Sequence, residues 1–227
     1  ADLGALAGID HIGVNVESSA DRALAGGGVL IDFTSAAAAL ANARTAAAAS
    51  AALVLGATGL SGADLAAIDA LAKKIAIIRS GNFSLGVNLL AALVEEAARR
   101  LPDDFDVEIF EAHHRDKIDA PSGTALMLGE AAAAGRGVEL GPRMVTARTG
   151  KTQRRQAGEI GFSSLRGGGI VGEQEVIFAG TQETVTLSHS AIDRALFARG
   201  AIAAARFVAG KPPGLYSMRD VLGLSGR

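Results

Sequence analysis

Along the first eighty positions, apolar residues fall in short unbroken runs, each followed by a turn and a longer alanine-rich stretch. Val29-Leu30-Ile31-Asp32-Phe33 is the first run, and its continuity with a single acid predicts a strand buried on both faces. Residues 36–49 are almost all alanine, the best helix former, with Thr34 or Ser35 placed to cap the helix they predict. Ala52-Leu53-Val54-Leu55 and Ile75-Ala76-Ile77-Ile78 predict two more strands. Between them a helix runs through Lys73, opened by Ser61 and Asp64 in capping-box spacing. Strand, helix, strand, helix, strand with short turns is the pattern of a parallel sheet built from right-handed crossovers. Ligands of such sheets sit beyond the carboxyl ends of the strands, which singles out the turns at 56–59 and 79–83. Residues 1–30 are rich in Gly and Ala and read as a connecting region, with one short alternating piece at 12–16.

From residue 84 the period changes. Val87, Leu90, Leu93, Val94 and Leu101 share one helical face, with Glu95, Glu96, Arg99 and Arg100 opposite, and Pro102 ends the helix. Val107 and Ile109 then alternate as a strand into a histidine pair, and residues 121–134 read as a helix. Strand-like pieces at 144–148, 159–166, 173–179 and 183–189 follow, separated by Gly-rich turns. Strands without intervening helices predict a mostly antiparallel or mixed sheet, and so a second domain of α+β type. A helix over 193–209 is stopped by Lys211-Pro212-Pro213-Gly214, and 215–224 forms a short amphipathic tail.

A length of 227 residues suits one large domain or two small ones. The chain has no cysteine, which removes disulfides and thiolate metal sites and agrees with a reducing cytoplasm. A net charge of −2 with 4% aromatic residues provides neither a basic field nor stacking platforms for nucleic acid. No apolar run approaches the roughly 20 residues of a membrane span, and the chain opens without a signal-like segment and without methionine.

Chemistry concentrates between Glu111 and Ala125. His113 and His114 are two of the chain's four histidines, and Lys117 follows closely. Histidine titrates nearest neutral pH and is the usual group for passing protons. Pro121-Ser122-Gly123-Thr124 can open a helix whose free amides bind carboxylate or phosphate. A negatively charged substrate that needs a proton moved fits this block. The plainer alternative is a polar strand-to-helix loop with Ser122 as a cap and Lys117 solvated. Glu111 either orients a histidine or pairs with Arg115. Gly56 and Gly59 alone suit any strand-to-helix turn, Asn82 a turn former, and Arg79 a solvated charge. The lone histidines His11 and His189 read as surface or satisfied core residues.

Glu111-Ala112-His113-His114, Lys117 and Asp119-Ala120-Pro121-Ser122-Gly123-Thr124-Ala125 together resemble the 4-hydroxy-tetrahydrodipicolinate (dihydrodipicolinate) reductases. Supporting blocks stand in the family's order over essentially the whole chain. They are Gly56-Ala57-Thr58-Gly59, Asn82-Phe83-Ser84-Leu85-Gly86-Val87-Asn88, Gly158-Glu159-Ile160-Gly161-Phe162 and Met218-Arg219-Asp220-Val221-Leu222. The resemblance implies an α/β chain with a Rossmann-type nucleotide domain, over 1–84 and 195–227. It also implies an α+β substrate domain over 85–194, whose mixed sheet builds a homotetramer. The implied reaction passes a hydride from NADH or NADPH to a cyclic dicarboxylic imine, in cytoplasmic lysine and diaminopimelate biosynthesis. By the family's motifs, His113 is the general acid/base and Lys117 the proton donor, with His114, Lys117, Ser122, Gly123 and Thr124 on the substrate. Gly56, Ala57 and Thr58 and then Ser80, Gly81, Asn82 and Phe83 form the two cofactor loops.

The front departs from that pattern. Family members begin with a strand and a glycine-rich loop around the pyrophosphate, then a second strand ending in the acid that holds the adenosine ribose. Gly26-Gly27-Gly28 precedes a strand and does not open a helix, so it is not that fingerprint. The expected difference is about one strand–helix–strand unit, on the order of 45 to 50 residues. The sequence is therefore expected to be part of a longer chain whose first strand–helix–strand unit lies outside it. Ala57 also stands where the family commonly has threonine. The alternative is a non-enzymatic dicarboxylate-binding or oligomer-forming remnant without a working cofactor site.

Overall fold

The first unit of the structure, a computed structural model that describes residues 1–151 and 153–224, grows from the three apolar runs. It comprises residues 1–81 and 201–221, and the second unit comprises 82–200 with the residues from Leu222 on. In chain order the first unit holds α1 (Leu3–Leu6), α2 (Ala20–Ala23), β1 (Val29–Asp32), α3 (Ala36–Ala48), β2 (Ala52–Leu55), α4 (Gly62–Leu71) and β3 (Ala76–Arg79). The second holds α5 (Leu85–Arg100), β4 (Asp106–His113), α6 (Gly123–Arg136), β5 (Met144–Val145), β6 (Ile160–Arg166), β7 (Gly172–Ala179) and β8 (Thr184–Ala191). Helix α7 (Ala195–Val208) runs back into the first unit, followed by β9 (Gly214–Tyr216) and α8 (Met218–Val221). No helix among the described residues is long and apolar enough to cross a membrane.

In the first unit β1, β2, β3 and β9 lie in that order, all parallel. Leu53, Val54 and Leu55 are fully buried, as a strand covered on both sides requires. Ala39, Ala43 and Ala46 of α3 are also fully buried, and their small side chains let the helix lie close on Leu53 and Leu55. Each such Leu or Ile contributes roughly 1.5–3 kcal/mol by leaving water. The expectation of a doubly buried β1 fails. Ile31 is 42% and Phe33 50% exposed, because β1 is a terminal strand of this sheet. The tail also differs from expectation: residues 214–216 form β9, which pairs Leu215 with Ile77. Residues 1–25, read as a connecting region, carry two short helices, organised by the Asp2 carboxylate, which accepts from the amides of Gly4, Ala5, Ile12 and Gly13.

In the second unit the sheet order is β5-β6-β4-β7-β8, with β4 parallel to β6 and antiparallel to β7. The mixed sheet follows from β4 entering between two strands that come later in the chain. Val107, Ile109, Val176 and Phe178 face α5 and α6 and form the core with Val94, Leu128 and Ala132. The two helices approach closely because Gly135 has no side chain: a Cβ there would lie 2.3 Å from the Glu95 carbonyl oxygen. Leu93, read as part of the buried stripe, is 47% exposed. Only 144–145 of the expected 144–148 strand pairs with β6. Beyond it the chain turns away, and Arg148 reaches Glu108 and Glu159 at 3.1 and 3.0 Å. The sheet's other face presents Glu108, Phe110, Leu165 and Ile177, with Thr184, Thr186 and Ser188 exposed on β8.

Candidate functional site

Alternation along β4 sends Val107 and Ile109 into the core, and the same period sends Glu111 there two residues later. Glu111 is 1% exposed, and a carboxylate so placed must be fully partnered. Its oxygens accept from both guanidinium nitrogens of Arg166 at 2.8 and 2.7 Å, from the Ser122 amide at 3.2 Å, and from His113 Nδ1 at 2.5 Å. Arg166 closes β6, and the parallel register sets it directly beside His113. Burial pushes the Glu111 carboxyl up, but the hydrogen bonds from Arg166, Ser164 and His113 outweigh it and hold the group below the usual carboxylate range. The same pairing raises Arg166. An ionised carboxylate only accepts, so His113 carries its proton on Nδ1 and leaves Nε2 as the free ring nitrogen.

The loop after β4 builds the rest. Lys117 Nζ donates to Asp119 at 2.7 Å, and this hydrogen bond holds the Asp119 carboxyl below its ordinary value. Arg166 also donates to the Asp119 carbonyl at 2.6 Å. The Ala120–Pro121 peptide is cis, and Ser122 then caps α6, its hydroxyl accepting from the Ala125 amide at 3.2 Å. That cap leaves the Gly123 and Thr124 amides without intrahelical acceptors, and a Cβ on Gly123 would meet nothing within 4 Å. Backbone amides at a helix start, next to a charged lysine, suit a carboxylate.

His113, Ser122 and Arg166 thus meet at Glu111, while Lys117, Gly123 and Thr124 lie on the loop and helix start that this carboxylate anchors. His114 falls just past the strand and its carbonyl accepts from the Lys117 amide. The pairing of Glu111 with Arg115 gives way to Arg166, which lies 55 residues from Glu111 in sequence. Periodicity does not reveal such a partner; the only local signal is an arginine ending a strand before three glycines.

Gly56, Ala57 and Thr58 follow β2, and Ser80 and Gly81 follow the adjacent β3, so both turns stand at carboxyl ends of parallel strands. At Gly56 a Cβ would fall 2.4 Å from the Phe33 ring, which accounts for the glycine. Asp32, 2% exposed, accepts from the Thr34 amide and hydroxyl and from Asn42, a local network that sequence reading overlooked. Asn82 and Phe83 belong to the second unit. Asn82 donates to the Thr124 hydroxyl at 3.0 Å and accepts from the Ser84 amide at 2.8 Å, so it supports the α6 start as well as shaping a turn. Phe83 is 1% exposed, ring and backbone together. Arg79 is not a solvated charge but stands 3.1 Å from Asp69. His189 packs against Gly86, and burial lowers its pKa, which keeps it neutral; His11 is exposed.

Comparison with known proteins adds independent findings. The family model described as dihydrodipicolinate reductase, C-terminus, matches residues 86–222, and its N-terminus counterpart matches 1–83. The 4-hydroxy-tetrahydrodipicolinate reductase of Caulobacter vibrioides is 62% identical over 205 residues, covering 89% of this chain and 80% of that protein. That of Methylocella silvestris is 54% identical, covering 100% and 83%. Among solved structures, a dipicolinate-bound dihydrodipicolinate reductase from Paenisporosarcina sp. TG-14 superposes with a TM-score of 0.69 at 26% identity, over 83% of this chain and 71% of that one.

Proposed function

This chain belongs to the dihydrodipicolinate reductase family, and from that premise we propose that it reduces 4-hydroxy-tetrahydrodipicolinate to tetrahydrodipicolinate with NADH or NADPH. The reaction belongs to lysine and diaminopimelate biosynthesis, and we assign the enzyme to the cytoplasm. The observation that carries the site assignment is the carboxylate-locked His113, anchored through Glu111 to a helix start with two unengaged amides. Bound NADH or NADPH supplies the hydride, and the turns after β2 and β3 fit such a group. They lie at neighbouring parallel strand ends, Gly59 takes a φ of +77°, and no atom stands within 4 Å of a Cβ built on Gly59 or Gly81. The chain's own residues have two tasks. Lys117 and the Gly123 and Thr124 amides hold the carboxylates of a cyclic dicarboxylate, with the Thr124 hydroxyl and His114 completing the set. The 4-hydroxyl leaves as water, and His113 and Lys117 provide the proton that must match the hydride.

The first unit then serves as the nucleotide domain and the second as the substrate domain. The second unit's sheet face opposite its helices, carrying Phe110, Leu165 and Ile177, serves as the surface of a homotetramer. Light scattering after gel filtration is expected at about four times 22.9 kDa, and a monomer mass would remove that assignment. The reaction itself is tested by following NADH and NADPH oxidation with 4-hydroxy-tetrahydrodipicolinate, beside a thermal-shift titration with dipicolinate. Oxidation dependent on the dicarboxylate supports the proposal. Dipicolinate binding without any oxidation would point instead to a non-catalytic binding protein.

A further inference from the structure

Glu111 Oε2 lies 2.5 Å from His113 Nδ1 and 2.8 Å from Arg166 Nη1, so one buried oxygen serves a base and a permanent cation together. Resting on the reading of His113 as a proton-transfer group, we propose that Arg166 and Glu111 are a positioning pair for the reduction. The carboxylate fixes His113 as its Nδ1–H tautomer with Nε2 presented, and the two-pronged guanidinium fixes the carboxylate that does so.

The geometry supports each half. Glu111 is almost wholly buried, so water does not replace His113 as its partner, and the two-pronged contact with Arg166 fixes the carboxylate plane. The pair also reaches beyond the histidine. Arg166 holds the Asp119 carbonyl and Glu111 holds the Ser122 amide, so the ring and the start of α6 share one anchor. On the following loop Lys117 and Asp119 neutralise each other, with His114, Arg115 and Asp116 between them and the strand. From β7 the neighbours are neutral, Gly172 and Gln174, and Glu173 is engaged by Ser190. Among the described residues, Glu111 is the charge hydrogen-bonded to the ring, and Arg166 is the cation bonded to Glu111. Without the Glu111 carboxylate the ring loses the acceptor that sets its tautomer; without the Arg166 fork the carboxylate stays but its plane is no longer held.

Full-length protein with ¹⁵N-labelled histidine tests this by NMR, with the His113 signals assigned through His113→Gln. The Nδ1–H tautomer is expected in the parent and its exclusive population is expected to be lost in Glu111→Gln. In steady-state assays, Glu111→Gln and Arg166→Gln are both expected to lose about 10- to 100-fold in kcat, as for other groups that orient a working histidine. In Arg166→Gln the Nδ1–H population is expected to fall less than in Glu111→Gln, because the carboxylate remains. A purely structural pair would lower activity and leave the tautomer unchanged in both variants. An Nε2–H tautomer in the parent, or a tautomer unchanged in Glu111→Gln, overturns the proposal. If the parent shows no reduction at all, the reductase reading falls, and the tautomer measurement still decides whether the pair positions His113.

Discussion

The turn after β4 and the turn after β2 both leave the carboxyl end of a strand for a helix, yet they are held by different means. After β2 the supports are neutral or exposed: Gly56 makes room for Phe33, its amide donates to the Asp32 carbonyl at 2.8 Å, and Ser61 with Asp64 forms a capping box. After β4 the supports are ionic, buried and distant in sequence, with Glu111 joined to Arg166 and through it to the Asp119 carbonyl. A turn that only has to present backbone needs glycine and a cap. A turn that has to aim a proton needs its charges fixed, and fixed charges inside a protein require full sets of partners. The contrast predicts that replacing the buried charges after β4 acts on proton transfer, whereas loss of the exposed Ser61 cap after β2 acts on local stability.

The largest effect is expected at His113. His113→Gln should lower kcat by about 10²- to 10⁴-fold with dicarboxylate affinity near the parent's, whereas Lys117→Ala should lower both turnover and affinity. Steady-state kinetics with dipicolinate inhibition constants separates the two. Near-parent turnover in both variants would put the chemistry elsewhere.

The next effect is a dependence of stability on pH. The folded Glu111 carboxyl lies below its ordinary value of 4.5, so the stabilisation it contributes is fully present above that value. It is lost as pH falls through the lower folded value. Thermal denaturation between about pH 5 and pH 3 should therefore show the parent losing stability more steeply than Glu111→Gln. Equal slopes would mean that Glu111 titrates alike in the folded and unfolded chain. At neutral pH, Glu111→Ala leaves Arg166 without its carboxylate and should cost about 3–5 kcal/mol in a urea titration.

A smaller, steric effect is expected at Gly200. A Cβ there would stand 1.6 Å from the Phe83 carbonyl oxygen, so Gly200→Ala forces the backbone beside Phe83 to shift. Overpacking of this kind costs about 1–3 kcal/mol, measurable by urea denaturation. Because Asn82 is next in line and donates to Thr124, a weakened dipicolinate affinity should accompany it.

These cases also show what the sequence made legible. The core strands β2, β3 and β4 were readable because burial imposes a run or an alternation on consecutive residues. Residue type alone marked the block from Glu111 to Thr124, since histidines, a lysine and a helix start rarely fall so close together. Arg166 was not readable, because its role depends on the parallel register of β6 against β4, which local sequence does not encode. Strand β9 was hidden for the same reason: three residues after a Pro-Pro-Gly stop become a strand only by pairing with β3. At the front, Asp2 gathers amides from positions as far as Gly13, and a stretch of Gly and Ala has no periodicity to announce it.

The smallest effects come from two serines with the same local signature. Ser61 and Ser122 each cap a helix by accepting an amide three residues on, at 3.1 and 3.2 Å. Loss of either hydroxyl should cost about 1 kcal/mol. Their surroundings differ. Ser61 lies in an exposed capping box, whereas Ser122 is 2% exposed and its own amide donates to Glu111. Ser61→Ala should leave dicarboxylate affinity and the pH profile unchanged. Ser122→Ala should cost a similar amount in stability and also weaken dipicolinate binding, because the hydroxyl that fixes the first turn of α6 also sets where the Gly123 and Thr124 amides point. Urea titrations and dipicolinate isotherms on the two variants make the comparison direct. If both bind like the parent, the α6 start is an ordinary cap, and the anion-binding role assigned to it must move to Lys117 and His114.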